Sequence, residues 1–98
     1  MSDLLPEVLN LTNKDFNLEI PEAEVGTKDE FLDLLTKVVQ HLLDSDFERL
    51  MNGLYRIDVD ENRVKEAMAH NTNVSREIAL LIIERELQKV ETRKKYRS

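Results

Sequence analysis

The sequence contains no cysteine and no tryptophan, and only two glycines and two prolines among 98 residues. Without cysteine, disulfide bonds, thiolate metal ligands and thiol nucleophiles are excluded, and a reducing compartment fits. The scarcity of glycine and proline favours helices over a turn-rich β fold. No apolar run approaches the roughly 18 residues of a membrane span, and the first residues lack the pattern of a secretion signal. We therefore expect a soluble, cytoplasmic protein.

Charge is distributed unevenly along the chain, which carries 20 acidic and 14 basic residues and a net charge of -6. Residues 1–48 contain 12 acidic and 3 basic residues, whereas residues 49–98 contain 8 and 11. The two halves should attract each other, within one chain or between two. With 41% apolar residues, the length suits one domain with one core.

Apolar spacing predicts four main helices over residues 28–44, 46–56, about 59–70 and about 74–95. The second predicted helix has an apolar side that we expect to face the core, made of Phe47, Leu50, Met51, Leu54 and Tyr55. The fold class predicted is all-α, a small four-helix bundle-like domain over residues 27–98.

Residues 1–26 are the least regular part of the chain. Pro6 removes a donor near the start of a possible short helix, and residues 15–21 alternate polar and apolar side chains. We expect an irregular, partly extended N-terminal arm that Phe16, Leu18 and Ile20 hold against the helices.

Three helix starts share the pattern of a capping box, in which a Ser, Thr or Asp precedes a glutamate by three positions. The predicted caps are Thr27, Ser45 and Asp58.

Asp58, Asp60 and Asn62 also alternate as the first ligands of a calcium loop do. Such a loop needs glycine at its sixth position and glutamate at its twelfth, and these positions hold Arg63 and Ala69. We therefore interpret Asp58 as a helix cap and expect no metal or other cofactor.

The last predicted helix contains four consecutive apolar residues, 80–83, which point in four directions at about 100° per residue. Two apolar stripes result. One consists of Val74, Ile78, Leu81 and Ile82, and the other of Ala79, Ile83, Leu87 and Val90. We expect the first stripe to face the core and the second to form the interface of a homodimer.

Arg85 continues the first stripe, where an apolar residue would be expected. An arginine presented to an anionic ligand is one interpretation, and an internal ion pair with Asp58 or Asp60 is the one that we favour, because a buried charge needs a partner.

Other candidates for chemistry are few. His41 and Asp44 lie three residues apart, but two ligands make no closed metal site, so His41 is interpreted as a solvated side chain. His70 is expected to be a charge partner at a helix C-terminus. With no phosphate-binding loop and no catalytic grouping, the chain is not expected to be an enzyme. Nucleic-acid binding through the basic end, residues 93–97, is the alternative, and net negative charge disfavours it.

The segments Leu54-Tyr55-Arg56-Ile57-Asp58-Val59-Asp60-Glu61 and Ile82-Ile83-Glu84-Arg85 resemble L-Y-R-[I/L]-D and I-x-x-R segments of short uncharacterised bacterial helical proteins. The resemblance covers roughly residues 31–91 and implies a helical domain without a known activity. We therefore expect a protein-interaction module that self-associates through its C-terminal helix and binds an unidentified protein partner.

Overall fold

The computed structural model describes residues 4–70 and 72–96, and this part of the chain is all-α. Five helices follow one another: α1 (Leu5–Phe16), α2 (Lys28–Ser45), α3 (Phe47–Arg56), α4 (Glu61–His70) and α5 (Val74–Lys95), with a single 3-10 turn (Glu22–Glu24) between α1 and α2. The four predicted helices are confirmed, with bounds within two residues. None of the helices described is both long and apolar enough to cross a bilayer.

α5 is the central helix, and it contacts α1, α2 and α4. Its buried apolar residues come from both predicted stripes: Ile78, Ala79, Leu81, Ile82, Ile83 and Val90. The expected homodimer interface is therefore wrong in its location, because Ala79, Ile83 and Val90 are at most 4% exposed and Leu87 is partly buried against the same core. The two stripes belong to one intramolecular core, since three helices surround α5.

The N-terminal segment is more regular than expected, because residues 5–16 form α1. Pro6 lies in the first turn, where a missing N–H costs no helical hydrogen bond. The helix ends at Asn17, which adopts the left-handed conformation (φ 54°). After it the chain is non-helical as far as residue 21, and Asn13 fixes that stretch by accepting from the Ile20 N–H (3.1 Å) and donating to the Ile20 carbonyl (3.0 Å).

The first predicted cap is confirmed. The Thr27 hydroxyl accepts a hydrogen bond from the Glu30 N–H at 3.1 Å, and the Glu30 carboxylate accepts in turn from the Gly26 N–H at 3.2 Å. One orphan N–H of α2 and the N–H of the residue before the cap are thereby satisfied.

The other two caps lie further along the chain than predicted. Asp46, not Ser45, accepts from the Arg49 N–H at 3.3 Å and begins α3. Asp60 accepts from the Asn62 N–H at 2.9 Å beside the start of α4, while Asp58 lies in the preceding turn with φ 61°. Asp58 thus helps the chain to turn between α3 and α4, because aspartate tolerates the left-handed conformation.

α1 and α3 approach closely at Gly53. A Cβ atom at this position would overlap the ring of Phe16, whose side chain is 2% exposed. Glycine is therefore required here by space, although it weakens a helix interior by about 1 kcal/mol relative to alanine.

Gly53→Ala is expected to lower the free energy of unfolding, because overpacking costs about 1–3 kcal/mol and outweighs the gain in helix propensity. Urea unfolding followed by circular dichroism measures the change. Asn52→Ala is the matched control, since Asn52 is exposed on the same helix, and it should be neutral or stabilising. Equal stability of Gly53→Ala and wild type would contradict the close approach of Phe16.

Candidate functional site

Three large apolar side chains lie on the outer side of α3, of which two are exposed and one is partly buried. Phe47, Met51 and Tyr55 follow each other at four-residue spacing, so they share one side of the helix. Phe47 is 49% exposed, Tyr55 is 89% exposed and Met51 is partly buried. We call these three residues the α3 stripe. Tyr96 is the one other large exposed apolar side chain in the part of the chain that the structure describes.

The prediction for this helix was half right. Leu50 and Leu54 are buried, as expected of a core-facing side, but the apolar arc of α3 is wider than the core can cover. The α3 stripe therefore faces solvent beside the buried leucines. Exposed apolar side chains that share one side of a helix mark an interaction site more often than scattered single residues do.

A groove of about 310 Å³ runs between α3 and α4 next to the stripe. We call it the α3–α4 groove. Leu54 and Val64 are buried at its base, and Met51, Val59 and Met68 are partly buried along it. The remaining lining residues are Tyr55, Asp58, Asp60, Glu61 and Lys65. The groove thus combines an apolar base with an edge that carries three acidic residues and one basic residue.

Arg85 takes an internal partner, but not the expected carboxylate. Its Nε donates to the Ile57 carbonyl at 2.8 Å, and its Nη1 donates to Gln88 Oε1 at 3.3 Å. Within the described residues no ion pair joins Arg85 to Asp58 or Asp60, although all three line one shallow depression. Arg85 therefore satisfies a carbonyl at the end of α3 and links that end to α5.

The nearby guanidinium of Arg63 does pair with a carboxylate. Its Nη1 and Nη2 donate to the two carboxylate oxygens of Glu84 at 3.1 and 3.3 Å. The hydrogen bond lowers the pKa of Glu84 and raises the pKa of Arg63. Because both side chains are about half exposed, solvent screens the pair, which joins α4 to α5 only weakly.

Two carboxyl groups meet inside the protein. Glu86 of α5 is fully buried and faces Asp15 of α1, and Lys89 Nζ lies 3.8 Å from Glu86 Oε1 and 3.6 Å from Asp15 Oδ2. Both Glu86 oxygens and Asp15 Oδ2 are buried without a hydrogen-bond partner. A proton on Glu86 supplies the donor that two ionised carboxylates lack.

Burial is the main cause that raises the pKa of Glu86 to about 8, and the nearby Asp15 carboxylate acts in the same direction, both as the acceptor for the Glu86 proton and through its charge. Lys89 and Arg93 oppose the shift. Glu86 is thus largely protonated near neutral pH. This carboxylate pair is a contact between α1 and α5 that depends on one proton.

Sequence reasoning missed the role of Glu86, although a signal was present. Glu86 lies four residues after Ile82 and four before Val90, so helical spacing places it between two apolar residues on one side of α5. A charged residue at such a position predicts either an exposed edge or a buried partner. The partner was hidden because Asp15 comes from the segment that was expected to be irregular.

The structure describes the side chain of one of the two histidines. His41 is exposed, and the neighbouring Asp44 carboxylate accepts hydrogen bonds from Gln40 at 3.1 and 3.2 Å. The side chain of His70 lies outside the described residues. In the described part of the chain, no group of three or more acidic, histidine or cysteine side chains is placed to hold a metal ion.

Comparisons with known proteins give no match: no family model fits the chain, and neither a curated protein nor a solved structure is significantly similar to it. The resemblance to short bacterial helical proteins therefore stays a prediction. A function has to be argued from the surfaces and contacts of the chain itself.

Glu86→Gln is expected to flatten the dependence of stability on pH. The pKa is 4.5 in the unfolded chain and about 8 in the fold, so the folded state binds the extra proton between these values. The stability from this proton is complete below about pH 4.5 and is lost as the pH rises through about 8, by at most about 1.4 kcal/mol per pH unit. Urea unfolding at several pH values between these limits measures the slope.

The control is Glu91→Gln, a substitution of an exposed glutamate on the same helix, which should keep the wild-type slope. Equal slopes in Glu86→Gln and wild type would show that Glu86 is ionised in the fold.

Proposed function

We propose that this chain is a protein-interaction module that binds a protein partner through the α3 stripe and the adjoining α3–α4 groove. The observation that carries the proposal is the exposure of the stripe, in which Tyr55 is 89% exposed and Phe47 49%. The proposal is one of binding, and it assigns no catalytic residue, metal or cofactor.

The composition of this surface supports binding. Aromatic residues and methionine are enriched at the centres of protein interfaces, and Tyr55, Phe47, Met51 and Met68 all lie here. Methionine is unbranched and adapts its shape to an apolar partner. The α3 stripe lies beside the α3–α4 groove, which has Leu54 at its base. A partner can therefore contact the exposed side chains and also fill the groove.

Self-association stays a prediction, and it would need a different surface from the one first expected. Ala79, Ile83 and Val90 are buried inside the chain, so they are not open to a second copy. The α3 stripe contains two of the three large apolar side chains that are exposed in the described part of the chain, so a second copy or a different protein would bury apolar area there.

The proposal is tested by photo-crosslinking in the cells that produce the protein, with p-benzoylphenylalanine replacing Tyr55. We expect one discrete crosslinked product of higher mass, identified by mass spectrometry, because position 55 lies in the proposed contact. The matched control places the same photoreactive residue at Tyr96, which is 79% exposed at the end of α5. Crosslinking at position 96 but not at position 55, or at neither, would overturn the proposal.

Tyr55→Ser should separate binding from folding. Because Tyr55 is exposed, we expect the free energy of unfolding to change by less than about 0.5 kcal/mol, while the crosslinked product from a photoreactive residue at Phe47 is lost. Chemical denaturation and crosslinking are compared on the same variant. A large loss of stability would mean that Tyr55 belongs to the core and not to a binding surface.

A further inference from the structure

The two arginines of α3 point away from the α3 stripe and are already engaged. Arg49 Nε donates to the Phe16 carbonyl at 3.0 Å, and its Nη2 donates to the Asn17 carbonyl. Arg56 Nη1 donates to the Asp15 carbonyl at 3.4 Å. These cations satisfy carbonyl groups at the C-terminus of α1, where the helix dipole is negative. The outward side of α3 is therefore left without its basic residues.

Acidic residues remain beside the stripe and the groove. Asp58, Asp60 and Glu61 line the groove, whereas Glu48 is exposed beside Arg49 and Arg56 on the α1 side of α3. Within the described residues, none of the three groove carboxylates forms an ion pair, and Lys65 is the single basic residue that lines the groove. Arg63 and Arg85 lie in the neighbouring depression, which Asp58 and Asp60 also line. An apolar groove bordered by three carboxylates and one lysine favours a partner that carries positive charge around apolar side chains.

The backbone of this surface restricts the shape of the partner. α3 and α4 satisfy their own N–H and C=O groups within each helix, so the surface offers no row of free backbone groups with which an extended peptide could pair. A partner segment that loses water on this surface has to satisfy its own backbone. An α-helix does so, and its apolar residues at i and i+4 would match a groove of about 310 Å³.

We propose that the partner segment is a basic amphipathic α-helix, whose apolar side lies on Met51, Tyr55 and the α3–α4 groove and whose flanking lysines or arginines face Asp58 and Glu61. The inference rests on the proposed function, since it names the kind of partner that the same surface binds. Apolar contact supplies most of the affinity, and the carboxylates favour basic helices over acidic ones.

The experiment uses fluorescent model peptides of about 14 residues, long enough to form a helix on binding. One contains leucine and lysine at helical spacing, the second has glutamate in place of lysine, and the third is a scrambled leucine and lysine sequence with no apolar side. Fluorescence anisotropy with the intact protein measures the dissociation constants. We expect the first peptide to bind with a dissociation constant of about tens of micromolar and at least about tenfold more tightly than the other two.

Protein variants locate the contact. Tyr55→Ser with Met51→Ser should weaken binding of the basic amphipathic peptide by about tenfold, and Tyr96→Ser should leave it unchanged. Asp58→Asn with Glu61→Gln should weaken it several-fold at low salt, because both carboxylates lie at the groove, and asparagine tolerates the left-handed conformation of residue 58. Glu22→Gln with Glu24→Gln changes the net charge equally in the exposed 3-10 turn and is the matched control.

The outcomes distinguish the two proposals. Equal binding of the acidic and basic helical peptides, or of the scrambled peptide, would overturn the basic-helix inference, as would no binding at about 1 mM protein. If a photoreactive residue at position 55 still crosslinks to a protein in those cases, the proposed function stands with a different partner. If sedimentation shows that wild type dimerises and Tyr55→Ser does not, the occupant is a second copy and the inference fails.

Discussion

The constraint on which the structure depends is the need to cover the apolar middle of α5. Residues 80–83 are apolar and consecutive, so they face four directions, and exposing any of these sides would leave large aliphatic groups in water. A chain of 98 residues has few helices with which to surround a 22-residue helix. α1, α2 and α4 all contact α5, and α3 packs against α1 and α2.

Covering α5 with α1 has consequences for charge. Lys94 of α5 pairs with Glu7 at 3.0 Å, and Lys89 lies 3.6 Å from Asp15, so α1 runs antiparallel to the second half of α5. That arrangement brings Asp15 to Glu86 and explains why one carboxyl group is protonated. It also places the C-terminal carbonyl groups of α1 beside α3, whose Arg49 and Arg56 donate hydrogen bonds to them.

The existence and bounds of α2 to α5 were accessible from the sequence because periodicity depends on local backbone geometry, whereas α1 was not predicted. The Thr27 cap was accessible for the same reason. The caps at Asp46 and Asp60 were displaced because several neighbouring polar side chains offer oxygen atoms, and the final turn geometry decides among them. Glu86 and its partner Asp15 were missed because they are 71 positions apart, and no local pattern reports such a contact.

The extent of burial around each helix was the least predictable property. A helical wheel gives the residues that share a side, but the number of neighbouring helices determines how wide a side is covered. α5 has enough neighbours to bury two stripes, which removed the expected dimer interface. α3 has fewer neighbouring helices, so part of its apolar side stays in water. The sequence alone therefore could not show which apolar residues of α3 are exposed and which are buried.

α3 has a buried side and an exposed side because it packs against α1 and α2 but has fewer neighbouring helices than α5. Gly53 lets Phe16 approach from one side, Leu50 and Leu54 face the core, and Phe47 and Tyr55 of the α3 stripe are left exposed. Exposed apolar side chains contribute little to folding and promote association. The stripe thus adds little to a core that is already closed by the leucines beneath it. Exposing the apolar side chains of the stripe to water is unfavourable, and this is the physical reason for assigning the stripe to a contact with another molecule.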